Sequence, residues 1–169
     1  KITSERIFSN GGFLPDKTVL IFNNKGVLVD LVDHNDAGDD VQHVKEWICP
    51  GFVNAHCHLE LSYLKGRIPK MSGLKDFVIS VMANREEEQD QIEQAIMDAE
   101  SEMIKNGIVA VGDICNTAQT LFQKTKKNLH YHSFIELSGF VPGAAESRFQ
   151  KGRALQAEFT EAGLSATLV

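Results

Sequence analysis

The stretch ICPGFVNAHCHLELS, residues 48–62, decides the fold, because the pattern of the chain changes here. Before Pro50 the chain has short β segments separated by turn residues, and after it strands alternate with helices. The stretch itself predicts a strand that ends in two histidines on either side of Cys57. Side chains alternate along a strand, so His56 and His58 are predicted on one face and Cys57 on the other. On this spacing alone, two metal ligands and two structural histidines are both open interpretations.

Residues 1–50 are predicted to form a small β region. The segments TVLIF (18–22) and VLVDLV (27–32) flank the sequence NNKG, and a short turn ending in glycine between apolar segments predicts a hairpin. The acidic, glycine-containing segment 33–40 is predicted to be a loop. The remainder, residues 51–169, is predicted to form a separate domain of strands and helices.

The apolar periodicity after Pro50 predicts four strands joined by helices. The strands are expected over residues 51–58, 108–114 and 130–137 and from 164 onward. The helices are expected from Ser72 onward and over residues 90–105, 117–127 and 145–162. The first helix is expected to bury an apolar face made by Leu74, Phe77, Val78, Val81 and Met82. The last helix is expected to bury Phe149, Leu155 and Phe159.

This order of elements predicts an α/β fold with a parallel sheet. The segment IVAVGDI, residues 108–114, is almost entirely apolar, as is typical of a strand buried on both faces. Because the chain stops inside its fourth strand, residues 51–169 are interpreted as the first half of a (β/α)8 TIM-like barrel, which typically needs about 250 residues. The alternative is a complete small α/β sandwich.

Composition excludes several classes of function. The formal net charge of −6 argues against a nucleic-acid surface, and no apolar run is long enough to span a membrane. The basic segment 124–128 is predicted to be a solvated helix end. The three cysteines are odd in number and form no CxxC pair, so neither a disulfide framework nor a thiolate zinc site is indicated. A cytoplasmic location fits this cysteine usage best.

The segment PGFVNAHCHLELS resembles the opening of the amidohydrolase superfamily, in which Pro-Gly, a short apolar strand and His-x-His mark the end of the first barrel strand. The hairpin-rich segment 1–50 resembles the small β-sandwich domain of that superfamily. The segment GRIPKMSGLKDFV resembles the loop and first helix of its deaminase and chlorohydrolase branch. The HLELS variant is most similar to the adenosine-type and aminofutalosine deaminases of that branch.

The resemblance implies that His56 and His58 are the first two ligands of a divalent metal, with zinc expected and iron the alternative. The other ligands of that branch, a histidine and an aspartate, would lie beyond Val169, as would the His-x-x-Glu that supplies the general acid/base. No catalytic acid/base is therefore assigned within residues 1–169. The chain by itself is expected to be inactive.

The reaction implied by the resemblance is hydrolytic deamination of a purine-like or other N-heterocyclic amine, a small-molecule substrate, by a metal-activated water. An amide-bond or halide-displacing hydrolase of the same superfamily is the alternative, since these share the first motif. If the chain is complete, a non-catalytic metal-binding α/β module is the other candidate. The sequence leaves a homo-oligomer open.

Other polar residues have both a functional and a structural interpretation. Glu136 and Ser138 end the third predicted strand and are candidates for substrate contacts, while a salt-bridged carboxylate is the alternative for Glu136. Glu60 is a candidate to contact substrate or to orient a ligand histidine, and Asp113 has the same ambiguity.

His130 and His132 form a second His-x-His motif at the start of the third predicted strand, which places them at the opposite end of the barrel from His56, so a structural or solvent role is predicted for them. Cys115 is predicted to be a buried small residue.

Overall fold

The computed structural model describes residues 1–69, 71, 73–84, 87–139 and 141–169. These residues form two compact units, Lys1–Pro50 and Gly51–Val169. Ser72, the predicted start of the first helix of the second unit, lies outside the described residues. None of the helices in the described ranges is long and apolar enough to cross a membrane.

The first unit is built from short β-strands. They are β1 (Ile2–Ser4), β2 (Phe8–Ser9), β3 (Gly12–Phe13), β4 (Thr18–Phe22), β5 (Leu28–Asp33) and β6 (Gln42–Val44). Four of them form one sheet in the order β5-β4-β1-β6, and β2 pairs with β3 in a separate ribbon. The prediction that this unit is part of a small β-sandwich domain stays a prediction.

The predicted hairpin of the first unit is confirmed, since β4 and β5 pair antiparallel. The Asn23 side chain accepts the backbone N–H groups of Lys25 at 2.9 Å and Val27 at 3.0 Å, which closes the turn. Gly26 has a φ of +75°, a conformation that glycine adopts without a steric penalty. The residue types of this turn therefore determine its geometry.

The second unit contains one parallel sheet with helices in its connections. Its strands are β7 (Phe52–Cys57), β8 (Ile108–Cys115), β9 (His130–Ile135) and β10 (Ser165–Leu168). Its helices are α1 (Gly73–Ala83), α2 (Gln89–Lys105), α3 (Leu121–Lys124) and α4 (Ala145–Glu161), with 3₁₀ segments at Leu59–Leu64 and Pro142–Ala144. The strands lie in the order β7-β8-β9-β10, and every neighbouring pair is parallel. The predicted α/β class with a parallel sheet is confirmed.

The two faces of this sheet differ in burial. Val111, Asp113 and Cys115 of β8 point to the helices and are buried, whereas the residues between them are only half-buried. Within residues 51–169, β8 is therefore buried on one face and half-buried on the other, and burial on both faces stays a prediction for a closed barrel. We call the side packed by helices the helix face. The opposite side, the open face, carries Val53, Ala55, Ala110, Gly112, His132 and Phe134, which line a cavity of about 400 Å³.

Two apolar clusters hold the helices against the helix face. The larger consists of Leu59, Tyr63, Leu64, Val81, Ile92 and Ile96, with Cys57 and Tyr131 of the sheet packed against it. The smaller consists of Cys115, Ile135 and Phe159, with Leu155 of α4 beside them. Burial of such side chains is worth roughly 1.5–3 kcal/mol each. These clusters pack against the ends of β7 and β8, which are neighbouring strands of the sheet.

The predicted apolar faces of α1 and α4 are only partly buried. In α1, Val81 is buried, but the other four predicted core residues are exposed; they are Leu74, Phe77, Val78 and Met82. In α4, Phe159 is fully buried, whereas Phe149 is exposed. The predicted burial is therefore wrong for these exposed residues, because a periodic pattern cannot show how much of an apolar face meets another element.

The predicted helix over residues 117–127 is reduced to α3, Leu121–Lys124. The backbone N–H groups of Asn116 and Thr117 bond to the Glu60 side chain, so the chain is held as a loop there. Lys127 has a φ of +57°, which a right-handed helix does not allow. The connection between β8 and β9 is therefore mostly irregular.

Lys124 is buried, which corrects the prediction of a solvated basic segment for this residue, whereas residues 125–128 are exposed as predicted. Its Nζ lies 2.6 Å from Asp113 Oδ2, and both side chains are 0% exposed. Nζ also donates to Ser133 Oγ at 2.9 Å and lies 3.2 Å from Cys115 Sγ. A buried ammonium needs such partners because its desolvation costs several kcal/mol. The pair ties α3 to the middle of the sheet.

We expect Lys124→Ala to destabilise the second unit by about 3–5 kcal/mol, because it leaves the Asp113 carboxylate buried without its cation. The measurement is the free energy of unfolding from urea denaturation. Lys151→Ala, which removes an exposed lysine of α4, is the control and should cost no more than about 0.5 kcal/mol. Equal losses in the two variants would show that Lys124 does not stabilise the fold through this pair.

Candidate metal centre

A β-bulge near the end of β7 decides where the histidines point. Asn54 pairs with Val111 and Cys57 with Asp113, so three residue steps on β7 match two on β8. Asn54 lies on the helix face, where its side chain is 3.6 Å from Met103 Sδ of α2. Without the bulge, His56 would follow Asn54 onto that face. The extra residue changes the alternation and returns His56 to the open face.

Gly112 of β8 leaves space for the bulge because it has no side chain. A Cβ atom at Gly112 would lie 2.9 Å from the carbonyl oxygen of Ala55 and 3.1 Å from the Phe134 ring. The first of these contacts is with backbone, which cannot move aside as a flexible side chain can. A glycine at this position therefore lets the bulged part of β7 approach β8 closely.

The rings of His56 and His58 lie side by side. Their centroids are 5.3 Å apart, with 60° between the ring planes. His56 is the next-to-last residue of β7, and His58 follows the strand as the first flanking residue of the 3₁₀ segment Leu59–Leu64. The predicted strand over 51–58 is thus slightly too long, because His58 lies just beyond it. Cys57 packs against the larger apolar cluster, and the placement of the His58 ring on the opposite face stays a prediction.

His58 carries a buried polar atom that lacks a bond. Its Nδ1 has no hydrogen-bond partner among the residues that the structure describes. Leaving a polar nitrogen buried and unpaired costs free energy, and exceptions of this kind need an explanation. Imidazole nitrogens are good ligands for zinc and iron, so a metal ion is one partner that fits here.

Two buried carboxylates lie directly beside the histidine turn. Asp113 Oδ1 accepts the backbone N–H of Leu59 at 2.7 Å. The Glu60 carboxylate accepts the backbone N–H of Thr117 at 3.0 Å, the hydroxyl of Thr117 at 2.7 Å and the backbone N–H of Asn116 at 3.1 Å. Burial raises the pKa of Glu60 above its usual value, and the bonds from Thr117 and Asn116 oppose that rise. Glu60 therefore contacts the loop after β8.

Glu136 and Ser138 lie just beyond β9, where the sequence placed them. Asn116 Nδ2 donates to Glu136 Oε2 at 3.0 Å, and Arg148 donates to the Ser138 carbonyl oxygen. Both residues line a cavity of about 400 Å³ that α4 also borders through Gly152. The described lining residues of this cavity do not include His56 or His58. Glu136 and Ser138 are thus together, but they are not brought to the histidine pair.

His130 and His132 were predicted at the far end of the barrel from His56. The register of the sheet does not support this for His132, which pairs with Gly112, next to the bulge of β7. Both ring nitrogens of His132 have partners, Ser165 Oγ at 2.7 Å and Thr167 Oγ1 at 3.0 Å. A ring whose two nitrogens are bonded within the sheet has no lone pair left for a metal, which favours the structural role predicted for it.

The thiols near the site are held in the neutral form. Burial and the neighbouring Asp113 carboxylate raise the pKa of Cys57 and of Cys115 to about 12. A thiol with such a pKa is neither a nucleophile nor a ready metal ligand at neutral pH. Within the described part of the chain, no group of three or more His, Cys, Asp or Glu side chains could hold a metal ion. The two imidazoles therefore make up the candidate centre.

Many enzymes and binding proteins have a parallel α/β sheet with polar side chains at the ends of its strands. Comparison with family models narrows that class. A model of the Amidohydrolase family matches residues 47–166, so the chain belongs to this family. A comparison with curated proteins finds no match.

Solved structures support the same fold. Aminofutalosine deaminase of Helicobacter pylori in complex with methylthio-coformycin is 23% identical, with a TM-score of 0.71, and the match covers 99% of this chain and 42% of that one. A second structure of the same enzyme gives 20% identity, a TM-score of 0.69 and coverages of 99% and 41%. An amidohydrolase from Brucella melitensis is 16% identical, with a TM-score of 0.64, and the match covers 99% of this chain and 45% of that one. This chain thus spans less than half the length of each of these proteins.

Sequence reasoning missed two features of this site. The sequence of β7 itself gives no signal of the bulge, because the bulge is defined by the register against β8. Gly112 was available as a signal, since an isolated glycine inside a strand suggests a bulge or a close backbone approach. The buried contact of Lys124 with Asp113 joins residues on separate elements, and a lysine in a basic run normally indicates a solvated surface.

We expect Gly112→Ala to destabilise the second unit by about 1–3 kcal/mol, because the new methyl group meets the Ala55 carbonyl. Urea unfolding measures the loss. Gly143→Ala is the matched control, since a Cβ there meets nothing within 4 Å. A Gly112→Ala chain as stable as the control would mean that β7 does not need this close approach.

Proposed function

We propose that His56 and His58 are two ligands of a divalent metal in a hydrolytic deaminase of the amidohydrolase superfamily. The observation that carries the proposal is the placement of two imidazoles side by side where β7 ends, with Nδ1 of His58 buried and without a bond in the described structure. Membership in the Amidohydrolase family supports a hydrolase.

The donor set fits zinc or iron but is incomplete by itself. Catalytic zinc normally has three protein ligands and an open position, whereas two imidazoles are gathered in the described residues. We therefore propose that the other ligands and the general acid/base come from residues outside 1–169. The share of the related deaminase that the match covers, 42%, is compatible with this division.

The parallel sheet supports the barrel as the setting of this site. We propose that β7 to β10 are the first four strands of a (β/α)8 barrel. The helices lie against one side of the sheet, and the open face carries small and apolar residues such as Val53, Ala55 and Ala110 around a cavity. In a closed barrel such residues would form the packed interior, and the ends of the strands would form the active site.

This chain would contribute orientation and binding to the reaction. When bound, a divalent metal supplies the Lewis acidity that makes water nucleophilic at neutral pH. His56 and His58 would hold the ion at the end of β7, and the loop beyond β9 would offer the Glu136 carboxylate and the Ser138 hydroxyl to a small-molecule substrate. Glu136 and Ser138 line a separate cavity from the histidine pair, so they would contact a part of the substrate away from the metal.

Deamination is favoured over the other hydrolytic reactions of the superfamily. The observation behind this preference is the match, over 99% of this chain, to an aminofutalosine deaminase solved with methylthio-coformycin. We propose a purine-like or other N-heterocyclic amine as the substrate. Hydrolysis of an amide bond or displacement of a halide is distinguished from deamination by the product released: an amine or a halide ion in place of ammonia.

We expect the isolated 169-residue chain to release no ammonia from adenosine-type substrates, even when Zn²⁺ or Fe²⁺ is supplied, because two ligands do not make a catalytic centre. An enzyme-coupled ammonia assay measures this. Turnover by the purified chain, lost on substitution of His56, would contradict the proposed division of the site.

In a protein that contains this chain and the remaining ligands, we expect His56→Ala or His58→Ala to lower kcat/KM for deamination by at least about 10³-fold, since each removes a metal ligand. Metal content by mass spectrometry should fall in parallel. His132→Ala is the control, because that ring is bonded to Ser165 and Thr167, and it should retain the metal. Deaminase activity in the absence of both His56 and His58 would overturn the proposal.

A further inference from the structure

The ends of β7 and β8 are joined by two carboxylates that point in opposite directions. Asp113 of β8 bonds to the backbone of Leu59, directly after His58. Glu60, one residue further on, bonds to the backbone of Asn116 and Thr117, directly after β8. Both carboxylates are buried, with Asp113 0% and Glu60 3% exposed. The turn that carries His58 is therefore held from two sides.

The position of His58 explains why such support is needed. His58 flanks the first turn of the 3₁₀ segment, where Ser, Thr, Asp or Asn commonly caps the backbone N–H groups with its own side chain. The His58 ring makes no such bond. Asp113 supplies an acceptor for the Leu59 N–H from the neighbouring strand instead. The ring of His58 lies beside that of His56 and makes no capping bond.

The two oxygens of Asp113 have separate partners. Oδ1 accepts from Leu59, while Oδ2 lies 2.6 Å from the ammonium of Lys124. The ion pair fixes the carboxylate in the sheet, so the direction of Oδ1 is also fixed. A rigid acceptor of this kind determines the path of the backbone at residues 58 and 59 more closely than an exposed side chain could.

We propose that Asp113 and Glu60 are positioning residues that set the orientation of the His58 ring for metal binding. This inference rests on the proposed function, since it assigns a role toward the metal that His56 and His58 would hold. Asp113 and Glu60 would orient the ligand His58 without binding the metal themselves. Groups that orient metal ligands typically change metal affinity by about 10- to 100-fold when they are removed.

The test is the affinity for Zn²⁺, measured by calorimetry, of a protein that contains this chain and the remaining ligands. Glu60→Gln keeps the size of the side chain but presents an amide N–H₂ group to donors. Asp113→Ala/Lys124→Met removes the acceptor and its cation together, so that no buried charge is left unpaired. Thr117→Val removes one bond to Glu60 and is the mildest change in the same direction. Folding of every variant is verified by circular dichroism and thermal melting.

Glu100→Gln is the matched control. Glu100 is a buried carboxylate, 1% exposed, that accepts hydrogen bonds from Gln123, Asn128 and Tyr131 and does not bond to the turn at His58. Its loss should lower the melting temperature as the test variants do. It should leave the Zn²⁺ affinity within about twofold of the native value, because Glu100 does not bond to the turn that carries His58. His56→Ala/His58→Ala defines the background.

The expected result is that Glu60→Gln and the double variant bind Zn²⁺ about 10- to 100-fold more weakly than the native protein, with Glu100→Gln unchanged. Any test variant that folds, including Thr117→Val, is sufficient for this comparison. Native affinity in these variants, or an equal loss in Glu100→Gln, would overturn the positioning role and leave the metal site standing. If the native protein with the remaining ligands binds Zn²⁺ no better than its His56→Ala/His58→Ala variant, the proposed function fails, and the inference fails with it.

Discussion

The buried carboxylate of Asp113 is the interaction on which the second unit depends. One oxygen meets the ammonium of Lys124, and the other accepts the backbone N–H of Leu59. Taking two charges out of water costs several kcal/mol each, so the pair persists only because Ser133 and the backbone satisfy the remaining groups. In return, the strand β8, the helix α3 and the turn after β7 are held in one arrangement.

The two histidine rings lie side by side next to that arrangement. The bulge in β7 brings His56 to the open face, and the turn held by Asp113 leaves the His58 ring without a capping bond. A buried, unbonded Nδ1 is costly in a stable fold unless a partner arrives. The proposed metal would be that partner. The stability of the second unit and the geometry of the candidate metal centre thus both depend on the Asp113 carboxylate.

Much of this could be predicted from the sequence, because it rests on local patterns. The hairpin at Asn23–Gly26, the parallel class of the second unit and the position of the histidines at a strand end follow from turn residues and apolar periodicity. The burial of Lys124 could not be predicted, since it depends on a partner on another element. The bulge depends on the register against β8, and its only signal in the sequence is the isolated glycine Gly112 in that strand. The exposed face of α1 was missed for the same reason: periodicity identifies an apolar face but not what covers it.

The most direct test of this account is zinc-edge anomalous diffraction from crystals of the chain grown with Zn²⁺. The account predicts an anomalous peak at the end of β7, with one nitrogen of His56 and one of His58 each about 2.0–2.1 Å away. Rings of His56 and His58 on opposite faces of the sheet, or zinc bound only at other histidines, would contradict it.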